Sequence, residues 1–159
     1  MNSRISIVYF DEQYQYGVDK LLDGIQAEYA EYIYGAGSLK MKDAAKNAGR
    51  KYWVALDGNK VIGTVGIISL ANNNAVLKSM MLHKDYRGSG NDIALRMMVT
   101  AMEYAKQRGA DTLYLGTMAQ FEAATAFYLK HGFKRIQENE LPDDFIGNPV
   151  DVVFFRKGL

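Results

Sequence analysis

Leu82-His83-Lys84-Asp85-Tyr86-Arg87-Gly88-Ser89-Gly90-Asn91-Asp92 is the stretch on which the fold turns. Before it, residues 75–83 read as a strand. After it, Ala94, Met97, Met98, Ala101, Met102 and Ala105 keep a helical period for three turns. A glycine-bearing turn that opens a helix presents backbone N–H groups without acceptors, and the helix dipole adds positive charge, so the loop suits a pyrophosphate. Arg87 adds a fixed cation. The same residues also fit an ordinary strand-to-helix turn in which glycine supplies a positive φ, and this stretch alone does not separate the two. A dinucleotide fingerprint matches less well, because that turn follows the first strand of a β-α-β unit and this one follows several strands.

Working outward, residues 4–10 alternate, with Ile5, Ile7 and Tyr9 on one face, and read as a first strand. Val18, Leu21, Leu22, Ile25, Tyr29 and Tyr32 recur at three- and four-residue steps, a helix stripe interrupted by Gly24 and ended by Gly35-Ala36-Gly37. Residues 38–48 read as a short second helix. Residues 51–56 and 60–69 flank Asp57-Gly58-Asn59, a hairpin turn, and Asn72-Asn73-Asn74 makes a second turn. Downstream, Gly109 stops the long helix and residues 112–116 read as a short buried strand. Residues 122–130 form a further helix closed by His131-Gly132, and residues 133–138 and 150–156 are two final strands joined by an acidic loop. Antiparallel strands leading into a β-α-β-α unit imply a mixed sheet with helices on both faces.

Composition narrows the function. The chain has 159 residues, 48% hydrophobic and 12% aromatic, which excludes a disordered protein and fits one domain over residues 1–159. With 19 basic against 18 acidic side chains, nothing in the net charge of +1 calls for nucleic acid. Without cysteine there is no disulfide scaffold, zinc finger or thiol nucleophile, and two distant histidines give no metal site. No apolar run approaches the ~20 residues of a membrane span, and the amino terminus lacks a signal-peptide core, so a cytoplasmic protein is expected. Met97, Met98 and Met102 read as core gap-fillers and Trp53 as a strand core residue.

The stretch from Leu82 to Gly90 resembles the coenzyme A signature of the GNAT acetyltransferase superfamily: Gln or Arg, two free positions, Gly, one free position, then Gly or Ala, following a strand. Ala124-Thr125-Ala126-Phe127-Tyr128-Leu129-Lys130-His131-Gly132-Phe133 resembles that family's second motif, an aromatic pair, a lysine and a glycine-phenylalanine. One helix and one strand separate the two, as they do in the family.

The resemblance implies an α/β fold: a mixed, mostly antiparallel sheet of about six to seven strands, helices on both faces, and a splayed central strand pair. Acetyl-coenzyme A, the acyl donor, would lie in the splay with no metal. The backbone of Met80, Met81 and Leu82 would pair with the pantetheine arm, and an amide near Met81 or Leu82 would polarise the thioester. Arg87 and the amides of Gly88, Ser89, Gly90, Asn91 and Asp92 would hold the pyrophosphate. Phe121 and Lys130 would lie on the cofactor side. A primary amine would attack directly, with the Tyr128 hydroxyl as general acid to the departing sulfur. On the acceptor side would stand Glu28, Glu31, Tyr32 and Tyr34, with Glu28 and Glu31 sharing a helix face and Tyr32 beside them. The acidic loop (Glu138, Glu140, Asp143, Asp144) faces them across the cleft, and together they suit a cationic amine such as a polyamine, a basic amino acid or a lysine side chain. Homodimers are common in the family.

Three departures stand out. Asp92 replaces the motif's last Gly or Ala and sets a carboxylate beside the cradle, with Arg96 four residues on as its helical partner. Val76 stands where many members carry a glutamate base, and Phe121 stands where an asparagine is common. They keep a second reading in view, a coenzyme-binding sensor with little catalysis.

Overall fold

A computed structural model describes residues 4–33, 40–88 and 90–159. Seven strands, β1 (Ile5–Tyr9), β2 (Arg50–Asp57), β3 (Lys60–Ser69), β4 (Asn74–Leu82), β5 (Thr112–Thr117), β6 (Lys134–Ile136) and β7 (Val153–Gly158), form one sheet in the order β1-β2-β3-β4-β5-β7-β6. Every neighbouring pair is antiparallel except β4 and β5, which are parallel. The helices are α1 (Gln15–Gln26), α2 (Met41–Ala44), α3 (Ile93–Gln107) and α4 (Glu122–Lys130).

The sheet is apolar on both faces, and the period-two alternation of β2 shows how. Trp53 and Ala55 pack toward Met97, Met98 and Ala101 of α3, while Tyr52, Val54 and Leu56 pack toward Val18, Leu21 and Ile25 of α1. Trp53, Met97 and Met98 are core residues, as their spacing implied. The turns follow local chemistry. Asn72 and Asn73 both sit at φ 60° between β3 and β4, a conformation asparagine tolerates. Gly109 and Gly132 end α3 and α4 at φ +92°, with Ala110 donating to the Ala105 carbonyl and Phe133 to that of Tyr128.

Several boundaries differ from the sequence reading. The first helix stops at Gln26, so Tyr29 and Tyr32 are not its last turns and Glu28 and Glu31 share no helix face. The cause is tertiary: Ile33 is 1% exposed, and the chain turns back to bury it. The Gln26 side chain holds that turn, accepting from the Ile33 N–H at 2.9 Å and donating to the Glu31 carbonyl at 2.8 Å. Gly24 does not interrupt the helix, which runs through it. The helix expected over residues 38–48 covers only Met41–Ala44 among the described residues. The last two strands are Lys134–Ile136 and Val153–Gly158, shorter or later than read. Gly35-Ala36-Gly37 and Tyr34 lie outside the described residues, as does Ser89. No helix among the described residues is long and apolar enough to cross a membrane.

Candidate active site

The site begins where the sheet comes apart. β4 and β5 pair at Asn74–Thr112, Ala75–Leu113 and Val76–Tyr114 and nowhere beyond, although β4 continues to Leu82 and β5 to Thr117. A bulge on the other side of β4 bends the strand. Thr64 faces Met81 and Gly66 faces Lys78, so Ser79 and Met80 together oppose the single residue Val65. Ser79 takes φ 54°, and its carbonyl accepts a hydrogen bond from the fully buried Thr64 Oγ1 at 2.6 Å. Such a bulge bends a strand and increases its twist. Past the bulge, Met80 and Leu82 pack toward the α3 cluster and Met81 toward the α1 cluster. Beyond Val76 this side of β4 carries no β5 ladder, the kind of edge to which an extended ligand can add.

At the open end lies the glycine turn. Gly88 and Gly90 adopt φ +100° and +88°, and a Cβ at either would meet nothing within 4 Å, so positive φ and not crowding calls for glycine. Asp92 is the N-cap of α3 yet its side chain caps nothing. The first helical bond runs from the Arg96 N–H to the Asp92 carbonyl, so the preceding amides have no acceptor within the helix. Asp92 and Arg96 make no ion pair among the described residues.

Two contacts span the mouth. Arg87 donates from Nε to the Leu82 carbonyl at 2.7 Å, and its two remaining nitrogens hold both oxygens of Glu28 at 2.7 and 2.9 Å. The next residue, Tyr29, packs edge-on against Phe121 at 5.1 Å between centroids. The segment after α1 thus touches the loop after β4 with one residue and the N-cap of α4 with the next. Burial raises the Tyr29 pKa, an effect opposed by Arg87 and reinforced by Glu28.

Two titratable groups, Lys78 and Asp151, lie at the closed end, the apex of the fork. Lys78 and Gly116 stand two residues beyond the last β4–β5 pair. Asp151, just before β7, lies over Gly116 so closely that a Cβ there would be 2.8 Å from Asp151 Oδ2. That oxygen accepts the Asn148 N–H at 3.0 Å. Burial raises the Asp151 pKa against the lowering effects of the Asn148 N–H and Lys78, and burial lowers that of Lys78. Tyr128 comes from α4 on the opposite face, 6% exposed among Phe133, Phe155 and Phe127. Burial first, and the Asp151 charge second, hold its phenol protonated far above the ordinary range.

A family model described as acetyltransferase (GNAT) family matches residues 18–133. The chain belongs to the GNAT acetyltransferase family. N-alpha-acetyltransferase 30 of Schizosaccharomyces pombe is 28% identical over 136 residues, covering 82% of this chain and 85% of that protein. The probable N-acetyltransferase camello of Xenopus tropicalis is 33% identical over 93 residues, 57% of this chain and 42% of that one. This chain therefore spans about two-fifths of the length of some relatives it matches. Among solved structures, a GNAT-family acetyltransferase from Staphylococcus aureus superposes with a TM-score of 0.82 at 27% identity over 98% of this chain and 99% of that one. PaiA N-acetyltransferase of Thermoplasma acidophilum, solved with coenzyme A, shares the fold at a TM-score of 0.72 and 17% identity, over 98% and 99%.

As a GNAT fold, the chain has the splayed pair and two-faced helices its motifs implied. Met80, Met81 and Leu82 lie on β4 past the last β5 pair, Gly88, Gly90, Asn91 and Asp92 lie in the loop before α3, and Tyr128 packs among Phe127, Phe133 and Phe155 on the α3 face of the sheet. Arg87 and Glu28, expected on opposite sides of the reaction, are partners of one another. Phe121 is half-buried against Tyr29, and Lys130, Glu31 and Tyr32 are exposed. In the acidic loop, Glu140 caps its own turn through the Gln137 N–H and Asp144 accepts the Ala71 N–H at the far turn of β3 and β4. Lys78 and Asp151 were missed. Their signal was a lysine breaking the apolar run Val76-Leu77-Lys78-Ser79-Met80 and a carboxylate opening the last strand.

Proposed function

We propose that the chain transfers an acetyl group from acetyl-coenzyme A to a primary amine of a small molecule or peptide. The observation that carries this reading is the fork itself: a bulged β4 that parts from β5 after Val76 and runs to a glycine turn at a helix N-terminus. Acetyl-coenzyme A supplies the activated thioester. The backbone of Met80, Met81 and Leu82 binds the donor's arm, and an amide past the bulge polarises the acyl carbonyl. The amides of Gly88, Gly90 and Asp92 suit the pyrophosphate, that of Asn91 donates to the Gly88 carbonyl at 3.3 Å, and the Asp92 carboxylate opposes the phosphates, which limits donor affinity. Arg87, held by Glu28 and the Leu82 carbonyl, fixes that loop against the end of β4.

The chemistry at the apex follows from burial. Asp151, its pKa raised, is a better proton acceptor than an ordinary carboxylate and takes the proton the amine loses, the part that Val76 cannot play. Tyr128, kept as a phenol, donates its O–H to the leaving sulfur. The C–N bond forms and the C–S bond breaks; of the two protons the ammonium loses, one passes through Asp151 to water and the other restores the Tyr128 phenol after it has protonated the sulfur. No nucleophilic side chain takes part.

Calorimetric titration with acetyl-coenzyme A, followed by thiol release over a panel of amines, tests this. Tyr128→Phe is expected to lower kcat by about 10²-fold with unchanged donor affinity. Binding without turnover on the whole panel favours the sensor reading, and no binding by folded protein contradicts both.

A further inference from the structure

The apex is not acidic. Lys78 reaches it from β4, and Arg50, in the first position of β2, is near enough to oppose the lysine's charge. Against these two cations stands one carboxylate, Asp151, with the neutral Tyr128 across the fork. Lys78 and Asp151 make no direct ion pair among the described residues, although each feels the other's charge. Glycines open the space around them. Gly66 faces Lys78 across the ladder and leaves room for the Tyr52 ring, which a Cβ there would meet at 2.5 Å. Gly116 does the same beneath Asp151. The Tyr52 hydroxyl accepts from Arg50 at 3.3 Å, which sets the guanidinium on the lysine's side. Two desolvated charges of opposite sign, held apart over a glycine floor, are poorly served by each other and well served by a ligand carrying both signs.

We propose that the acceptor is an amine bearing a carboxylate close to its nitrogen, an amino acid, with Lys78 and Arg50 receiving the carboxylate and Asp151 the amine. This rests on the acyl-transfer reading and narrows it: the acidic residues within 28–31 and 138–144 suggested a cationic amine such as a polyamine, a basic amino acid or a lysine side chain, and the apex selects an amino acid over a polyamine. A polyamine would bring further positive charges to a site that already holds two. An amino acid brings one of each sign, its carboxylate set against the two cations and its amine against Asp151. The desolvation that lowers the Lys78 pKa and raises that of Asp151 is relieved when each meets its counter-charge.

Matched pairs of acceptors provide the test: phenylalanine against phenethylamine, leucine against isoamylamine, and alanine against ethylamine, with spermidine alongside. Thiol release from acetyl-coenzyme A is followed for the wild type and for Lys78→Met and Lys78→Arg. The wild type is expected to favour the carboxylated member of a pair by about 10-fold or more in kcat/KM, the worth of one charged hydrogen bond. Lys78→Met should bring that ratio near one by raising KM for the amino acid alone, and Lys78→Arg should largely keep it. A wild type that prefers the decarboxylated amines or spermidine overturns the inference. So does Lys78→Met lowering both members of a pair equally. A wild type that binds acetyl-coenzyme A and uses neither member of any pair also overturns it while leaving the donor site standing. Failure to bind acetyl-coenzyme A removes the acyl-transfer reading itself.

Discussion

On its β3 side, β4 is laddered from Ala75 to Leu82 around a single bulge; on its β5 side it is laddered only from Asn74 to Val76. One strand thus borders a closed region and an open one. In the closed region β3 is buried from Val61 to Ile68, and side chains from both faces fill the space. In the open region β4 has no β5 ladder beyond Val76, and Lys78 and Asp151 remain without a direct ionic partner among the described residues. The closed region holds the fold together. The open region is where we place the proposed acyl transfer.

Substitutions should separate the two regions. The largest expected effect is in the closed one: Ile67→Ala, at a site with 0% exposure, should cost about 2–5 kcal/mol in urea denaturation. Lys78→Met, a few residues away across the ladder, should leave stability unchanged or raised, because it removes a desolvated cation.

Asp151→Asn comes next. It should lower kcat/KM by about 10²-fold for protonated amines, with a smaller loss for hydroxylamine, which is neutral at pH 7 and needs no deprotonation before it attacks. Activity should rise with pH through the ionisation of Asp151, above the ordinary carboxylate value of 3.8, and the variant should lose that limb. Stability moves the other way. The folded chain holds the Asp151 proton to higher pH than the unfolded chain does, so stability falls as pH rises from 3.8 through the folded value. Asp151→Asn should flatten that slope in denaturation series at several pH values.

Glu28→Gln should have the smallest effect. It weakens a half-exposed pair with Arg87 and should reduce donor affinity only a few-fold, more at low salt than at high.

The loop from Arg87 to Asp92 was legible because its glycines, the preceding strand and the following helix all agree locally. So were the two-faced sheet, from its long apolar strands, and the ends of α3 and α4, from Gly109 and Gly132. The end of α1 was not: periodicity carries the helix on through Tyr29 and Tyr32, and only the burial of Ile33 and the Gln26 side chain turn the chain back. Arg87 and Glu28 each look like ligand-binding residues when read singly, and 59 positions of chain separate two residues that fold into one contact. The apex was hidden for the same reason. Lys78 lies within a strand and Asp151 before another, and only the register of β4 on β5 brings them to one place.

Amide hydrogen exchange with and without acetyl-coenzyme A tests the account most directly. Protection is expected along β4 between Met80 and Leu82 and over residues 90–95, with β2 and β3 unchanged. Protection confined to other parts of the sheet, or none at saturating donor, would contradict the fork as the binding site.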